Sequence, residues 1–114
     1  MPSDRIGTAL QDILHHIDLA VSFLRGLDRA AFEQDLRTVY AVTRCLEIIS
    51  EASRRLPEDM KARYPAIAWK QMAAAGNVYR QDYEDVAARL VWETVQRSLP
   101  SLRIVIEAEV ARFS

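Results

Sequence analysis

The sequence has few of the residues that interrupt regular structure, with three glycines and four prolines in 114 residues. This content disfavours a β-rich fold, because hairpins and tight turns depend on glycine and proline. No run approaches the ~20 consecutive apolar residues that span a bilayer. Residues 1–6 also lack the basic-then-apolar order of a signal peptide. We therefore expect a cytoplasmic protein that has no membrane partner.

The sequence is also short of cysteine and of net charge. Its single cysteine, Cys45, excludes a disulfide framework and a cysteine zinc site. Because Cys45 lies inside an apolar helical pattern, we expect it to be part of the core. A net charge of −1 does not indicate a strongly basic nucleic-acid binder, although a local basic cleft is compatible with it. The length fits a single domain over residues 1–114.

Helical periodicity is what the sequence does contain. Apolar residues recur every three or four positions and predict a first helix over residues 4–25 and a second over residues 29–56. Gly26 suits the left-handed position after the first helix, and Asp28 suits the N-cap of the second. Two long helices joined by a tight turn predict an antiparallel hairpin. The predicted core stripes are Ile6, Leu10, Ile13, Ile17, Ala20 and Leu24 in the first helix, and Phe32, Leu36, Val39, Thr43, Leu46, Ile49 or Ser50, and Ser53 in the second.

The second half of the chain predicts shorter helices separated by prolines. Pro57 can occupy the first turn of a short helix over residues 58–63. A third main helix is predicted over residues 69–80 and a fourth over residues 84–99. Pro100 either starts a fifth helix or kinks the fourth. The predicted fold is an all-α, four- to five-helix antiparallel bundle.

Two clusters on the first two long helices have ligand-like spacing, namely His15, His16 and Asp18, and Glu47 with Glu51. A carboxylate–histidine metal centre in a bundle needs Glu-x-x-His on two helices, and the sequence contains none. We therefore predict no metal and no cofactor. The histidines are expected on the polar side or flank of their helix. The two glutamates are expected to form salt bridges or to line the edge of a cleft.

Trp69, Trp92, Tyr40 and Tyr79 could stack on bases, but aromatic residues on helices usually belong to the core. We expect core positions for them, with Tyr79 as the possible exception because it lies four residues before Tyr83. No glycine-rich phosphate loop and no Ser-His-Asp set is visible.

Several runs together carry a resemblance to a known family. The run Tyr-Pro-Ala-Ile-Ala-Trp at residues 64–69 leads into Gly-Asn-Val-Tyr-Arg-Gln-Asp-Tyr at residues 76–83. The runs at residues 45–52 and 90–95 have the matching order and spacing. The sequence resembles the HepT branch of the HEPN superfamily over nearly its whole length.

The resemblance implies a helical bundle that forms a homodimer, in which the third helix of each subunit lines a shared cleft. Active members are metal-independent ribonucleases with an Arg-x(4–6)-His signature, followed two residues later by Tyr. Their partner is a nucleotidyltransferase antitoxin, which in some systems transfers adenylyl groups to that Tyr. The implied acceptor here is Tyr83.

The sequence departs from the family pattern at two positions. Gly76 replaces the usual Arg directly before Asn77, and Gln81 replaces the usual His two residues before Tyr83. A variant branch has its Arg next to the His, and Arg80 fits that form. The implied site therefore consists of Asn77, Arg80, Gln81 and Tyr83.

Each of these residues has an implied role and a structural alternative. Arg80 would hold the scissile phosphate, Asn77 would hydrogen-bond the substrate, and Tyr83 would place a hydroxyl near the phosphate. Alternatively, Arg80 is a solvated charge or a partner of Glu84, Tyr83 packs at a helix end, and Asn77 marks an irregularity beside a glycine.

Gln81 decides the expected activity. Histidine can transfer protons near neutral pH, whereas a glutamine side chain has no titratable group. Because general acid–base catalysis contributes about 10²–10⁴-fold, we expect this chain to cleave RNA poorly or not at all. The sequence leaves open whether Gln81 is natural or a deliberate substitution.

The sequence thus predicts the toxin component of a bacterial HEPN–nucleotidyltransferase toxin–antitoxin pair, a ribonuclease weakened or inactivated by Gln81. The alternative is a non-catalytic HEPN module that binds a nucleotidyltransferase or a nucleotide. A purely structural dimeric bundle is the third possibility. The expected partners are a second copy, the antitoxin and, for an active enzyme, RNA.

Overall fold

The structure, a computed structural model, describes the backbone of residues 2–81 and 84–112 and the side chains of residues 5–76 and 88–112. These ranges contain seven α-helices and no strand, which confirms the all-α prediction. The helices are α1 (Pro2–Phe23), α2 (Arg29–Gln34), α3 (Leu36–Arg54), α4 (Glu58–Ala62), α5 (Trp69–Gln81), α6 (Glu84–Arg97) and α7 (Leu99–Arg112).

The first two long helices, α1 and α3, form the predicted hairpin. Gly26 has a φ of 83° in the turn, a left-handed conformation that glycine adopts without a steric penalty. The Asp28 carboxylate accepts a hydrogen bond from the Ala31 amide at 2.8 Å and so caps α2. At the far end of the hairpin, Arg55 Nη2 lies 2.8 Å from Asp12 Oδ2. This ion pair joins the end of α3 to the first half of α1, as an antiparallel arrangement requires.

The predicted continuous helix over residues 29–56 is interrupted at Asp35, which is a correction to the sequence analysis. Asp35 is both the C-cap of α2 and the N-cap of α3. Its carboxylate accepts hydrogen bonds from the Thr38 hydroxyl at 2.8 Å and the Thr38 amide at 3.3 Å, and these bonds lower the pKa of Asp35. Aspartate favours such local bonds over an interior helical position. The break also rotates Leu36 off the predicted stripe, and 45% of this residue is exposed.

The core is built mainly from α1, α3, α6 and α7. The predicted stripe of α1 is buried from Leu10 to Leu24, with Ile6 packed against its edge. Beyond the first turn of α3, the predicted core positions are buried except for Thr43, which is half-buried, and the neighbouring Val42 takes its place in the core. The buried predicted positions are Val39, Leu46, Ile49, Ser50 and Ser53. Cys45 is a buried free cysteine, as expected, and burial raises the pKa of its thiol.

Prolines separate the later helices. Pro57 is the N-cap of α4, directly before the predicted short helix. α6 ends at Arg97 and α7 begins at Leu99, so Pro100 lies in the first turn of α7. This position suits proline because the first-turn amides lack helical partners. The fifth-helix alternative is therefore correct. Among the described residues, no helix has both the length and the apolarity that crossing a bilayer requires.

Candidate functional site

Helix α5 carries three of the four predicted site residues. The predicted helix over residues 69–80 is confirmed within one residue, and Asn77, Arg80 and Gln81 fall in its last two turns. The side chains of these three residues lie outside the described part of the chain, as do those of Tyr79 and Glu84. Tyr83 lies outside the described residues altogether. Their roles therefore stay predictions, and the described contacts show how α5 is held.

The start of α5 is fixed by Trp69. Its indole Nε1 donates to the carbonyl oxygens of Lys61 and Tyr64, both at 3.1 Å. The ring is half-buried and packs against the hydrophobic core. A core role is therefore confirmed for Trp69. These bonds join the first residue of α5 to the end of α4 and to the connection over residues 63–68.

The middle of α5 is held by side chains of α3. The Ala73 carbonyl oxygen accepts hydrogen bonds from Ser50 Oγ at 3.0 Å and from Arg54 Nε at 3.0 Å and Nη2 at 2.5 Å. Residue 73 lies four residues before Asn77, and in an α-helix its carbonyl is the acceptor for the amide of residue 77. The same carbonyl thus links α3 to the turn that leads into the predicted site, where Gly76 is buried.

A buried carboxylate holds the connection that leads into α5. Glu109 of α7 is 0% exposed, and its carboxylate accepts hydrogen bonds from Arg63 Nη2 and, at 2.9 Å, from the Tyr64 hydroxyl. Arg112 Nε lies 3.3 Å from Glu109 Oε2. The bond to Glu109 is the main cause of the raised pKa of Tyr64 and of Arg63. The hydrogen bonds and ion pairs with Arg63, Tyr64 and Arg112 offset the free-energy cost of removing the Glu109 carboxylate from water.

The predicted site residues did not include Glu109, although its place in the apolar pattern was a signal for a buried carboxylate. Glu109 follows the buried Ile106 by three residues and the buried Leu102 by seven, so it falls on the core row of α7. An acidic residue in such a row predicts cationic or hydroxyl partners. The sequence does not indicate which residues those partners are, because Arg63 lies 46 residues away.

The residues with ligand-like spacing on α1 and α3 are exposed or half-buried. His15 is exposed and His16 is half-buried, as expected for the flank of a helix. His16 Nδ1 donates to the Asp12 carbonyl at 2.7 Å, and the two imidazoles meet edge to face with centroids 5.0 Å apart. No group of three or more potential metal ligands occurs among the described residues. Glu47 is half-buried and Glu51 is exposed.

The core position predicted for the aromatic residues is confirmed for Trp92 and wrong for Tyr40. Trp92 is half-buried and packs on Phe32 with ring centroids 5.6 Å apart, which confirms a core role. The expectation for Tyr40 is wrong, since 57% of the residue is exposed. Tyr40 follows the exposed Leu36 by four residues, so the break at Asp35 places both on the outer face of α3.

A groove of about 420 Å³ borders α5, and we call it the α5 groove. Its apolar part comprises Leu46, Ile49, Ala66, Ile67, Ala68, Met72, Ala75, Leu99 and Leu102, and its polar part comprises Gln71, Thr94, Arg97, Ser98 and Ser101. Of the described residues that line it, Arg97 alone carries a charge. Arg97 pairs with Glu93 at 2.9 Å while its side chain stays 81% exposed.

Comparison with known proteins gives consistent matches. A family model described as "Ribonuclease HepT-like" matches residues 13–109. The chain is 39% identical over 94 residues to "Probable ribonuclease HepT" of Thermococcus cleftensis, covering 82% of this chain and 86% of that protein. It is 34% identical over 103 residues to "Putative RNase MJ0125" of Methanocaldococcus jannaschii, covering 90% and 89%. No solved structure is significantly similar to this chain.

Proposed function

We propose, since this chain belongs to the ribonuclease HepT-like family, that it is the toxin component of a toxin–antitoxin pair that acts on cytoplasmic RNA. The observation that carries the proposal is the helical backbone of α5 through Gln81, which keeps Asn77, Arg80 and Gln81 within two successive turns. Residues at these spacings lie on neighbouring positions of a helix surface. The names of the relatives describe ribonucleases and support the same reaction class.

The proposed chemistry needs no metal. In this chain the RNA 2′-hydroxyl would give its proton to water and attack the adjacent phosphorus, and the bond to the leaving 5′-oxygen would break as that oxygen takes a proton from water. Arg80 would bind the phosphate oxygens, and Asn77 would hydrogen-bond the substrate. By the family resemblance, Gln81 stands where active members have the proton-transferring histidine, and its amide has no titratable group. We therefore expect cleavage about 10²–10⁴-fold below that of a histidine-bearing form.

Two partners complete the proposal. A second copy of the chain would form the shared cleft, and light scattering of the purified protein tests this, since a monomer would contradict it. A cognate nucleotidyltransferase would neutralise the toxin by transferring adenylyl from ATP to the Tyr83 hydroxyl, with release of pyrophosphate. Mass spectrometry after incubation with that enzyme and ATP tests the acceptor. An unmodified Tyr83, under conditions that modify a known substrate of the enzyme, would contradict this assignment.

The central experiment compares the chain with its Gln81→His variant, each expressed with and without the neighbouring nucleotidyltransferase. Growth and RNA integrity are measured together. Gln34→His, an exposed position on α2, serves as the matched control. We expect Gln81→His to stop growth and cleave RNA unless the nucleotidyltransferase is present, while the other two chains do neither. If Gln81→His is folded and harmless, the ribonuclease proposal fails.

Gln81 itself favours a second candidate, a non-catalytic module that binds a nucleotidyltransferase or a nucleotide. The two candidates share fold and partner and differ only in proton transfer. A Gln81→His variant that binds its partner but leaves RNA intact would favour the binding module.

A further inference from the structure

We propose that Arg54 of α3 is a further substrate-binding residue, whose guanidinium holds a phosphate of the RNA next to the phosphate assigned to Arg80. The inference rests on the proposed function and deepens it, because it adds a residue from a second helix to the same site. The implied site of Asn77, Arg80, Gln81 and Tyr83 includes no residue of α3.

The Arg54 side chain is held beside the turn of α5 that leads into the predicted site. Its Nε and Nη2 donate to the Ala73 carbonyl oxygen at 3.0 and 2.5 Å, and Ser50 Oγ donates to the same oxygen at 3.0 Å. In an α-helix this oxygen is also the acceptor for the amide of residue 77. The guanidinium therefore lies against the stretch of backbone between Ala73 and Asn77.

The face of α5 that Arg54 contacts is the face on which Asn77 and Arg80 are placed. Successive residues of an α-helix differ by about 100° around its axis. Relative to Ala73, position 77 is therefore turned by about 40° and position 80 by about 20° in the other direction. The backbone of α5 is helical through Gln81. Positions 77 and 80 thus follow Ala73 along one face, about 6 and 10.5 Å further along the axis.

Arg54 differs from the other bonded arginines in the kind of partner that it has. Among the described residues, every other arginine with a side-chain hydrogen bond or ion pair is bonded to a carboxylate; these are Arg29, Arg55, Arg63, Arg97, Arg103 and Arg112. Arg54 binds an uncharged carbonyl instead, and no described carboxylate pairs with it. Its position is therefore fixed while its positive charge is not neutralised.

The free donors of Arg54 suit a phosphate. The two bonds to Ala73 use two of the five N–H donors of the guanidinium and leave three on an exposed residue. Phosphate oxygens match these planar donors, and a guanidinium already held in place loses less freedom when it binds. With Arg80 on the same face, the site would have two cations in succession. Such a pair suits the repeated phosphates of an RNA strand better than a ligand with one charge.

The test measures binding of a fluorescently labelled, mixed-sequence RNA oligonucleotide by anisotropy over a range of salt concentrations. The chain with Gln81 is suited to this assay because its RNA is expected to remain intact. Arg54→Ala removes the proposed contact. Arg25→Ala is the charge control, because it removes the same charge from an exposed residue at the opposite end of the α1–α3 hairpin. Ser50→Ala is the structural control, because it removes another bond to the Ala73 carbonyl but no charge.

We expect Arg54→Ala to weaken RNA binding about tenfold, the loss typical of one charge-assisted hydrogen bond. It should also reduce the slope of log K against log salt by about 0.7, the value for one contact to a single strand. Arg25→Ala and Ser50→Ala should both keep the slope of the original chain. Arg54→Lys should restore the slope but only part of the affinity, because an ammonium is a point charge without a planar fork. Circular dichroism verifies that each variant is folded.

The outcomes separate this proposal from the proposed function. If Arg54→Ala matches Arg25→Ala in affinity and slope while Arg80→Ala reduces both, Arg54 has no phosphate contact and the proposed function stands. If Arg54→Ala and Ser50→Ala weaken binding alike with an unchanged slope, Arg54 only supports α5 and the phosphate contact is refuted. If neither this chain nor Gln81→His binds RNA, both proposals fail.

Discussion

Replacing Glu109 with alanine is expected to destabilise the protein through the connection that leads into α5. The carboxylate is fully buried and accepts hydrogen bonds from Arg63 and Tyr64, with Arg112 Nε at 3.3 Å. Removing one member of a buried ion pair costs about 3–5 kcal/mol. The Arg63 and Arg112 side chains are 37% and 61% exposed, so water can replace part of the lost interaction.

We therefore expect the free energy of unfolding to fall by about 2–3 kcal/mol for Glu109→Ala. Glu109→Gln keeps the shape and an acceptor but loses the charge, and it should cost about 1–2 kcal/mol. The matched control is Glu107→Ala, which removes an exposed carboxylate paired with Arg103 at 2.6 Å and should cost about 0–1 kcal/mol.

Urea denaturation followed by circular dichroism measures all three variants. With an m-value of about 1.5 kcal/mol/M, Glu109→Ala should lower the midpoint by about 1.3–2 M. A midpoint for Glu109→Ala within error of that for Glu107→Ala would refute the reasoning. It would show that the hydrogen bonds from Arg63 and Tyr64 to this carboxylate contribute no measurable stability.

The remaining predictions concern single groups. Because Glu109 raises the folded-state pKa of Tyr64 above its unfolded value of about 10, the stability due to this bond is complete below about pH 10 and declines as pH rises through the folded pKa. Tyr64→Phe should remove that alkaline decline in stability. Asp35 has a lowered pKa, so Asp35→Ala should reduce the melting temperature at pH 7, and this difference should vanish as pH falls through the folded pKa. A difference that stays equal after the carboxyl group has been protonated would contradict the capping role. Arg54→Ala should cost about 1 kcal/mol and speed amide exchange of Asn77, with Arg5→Ala, an exposed arginine of α1, as control. The buried Cys45, whose thiol pKa is raised, should react with a thiol reagent far more slowly in the folded protein than in denaturant.

Where local chemistry alone decides the outcome, sequence and structure agree. The turn at Gly26 needs a left-handed residue, the Asp28 carboxylate satisfies the Ala31 amide, and Pro100 is tolerated only in a first turn. The bounds of α5 were also predicted from local sequence, because helical periodicity resumes after Pro65. The position of the motif residues on this helix was therefore predictable, although the arrangement of their side chains lies outside the described residues.

The error at Asp35 arose because two local signals compete there. Helical periodicity runs through residues 29–56, yet an aspartate with a threonine three residues later can cap a new helix. The periodicity gave no reason to prefer the cap. The exposure of Leu36 and Tyr40 followed from that choice, because a break in the helix changes which face of α3 is buried.

The sequence by itself thus determined the helical class, the hairpin turn, the first core stripe and the place of the motif on α5. Only the tertiary structure decided which groups hold α5 in position. Glu109 accepts a hydrogen bond from Arg63, which lies 46 residues earlier in the chain. Arg54 donates to the carbonyl oxygen of Ala73, which lies 19 residues later. The α5 groove likewise joins residues of α3, α5, α6 and α7. Periodicity reports which face of a helix is buried, whereas the partner of a buried polar group depends on how separate helices pack.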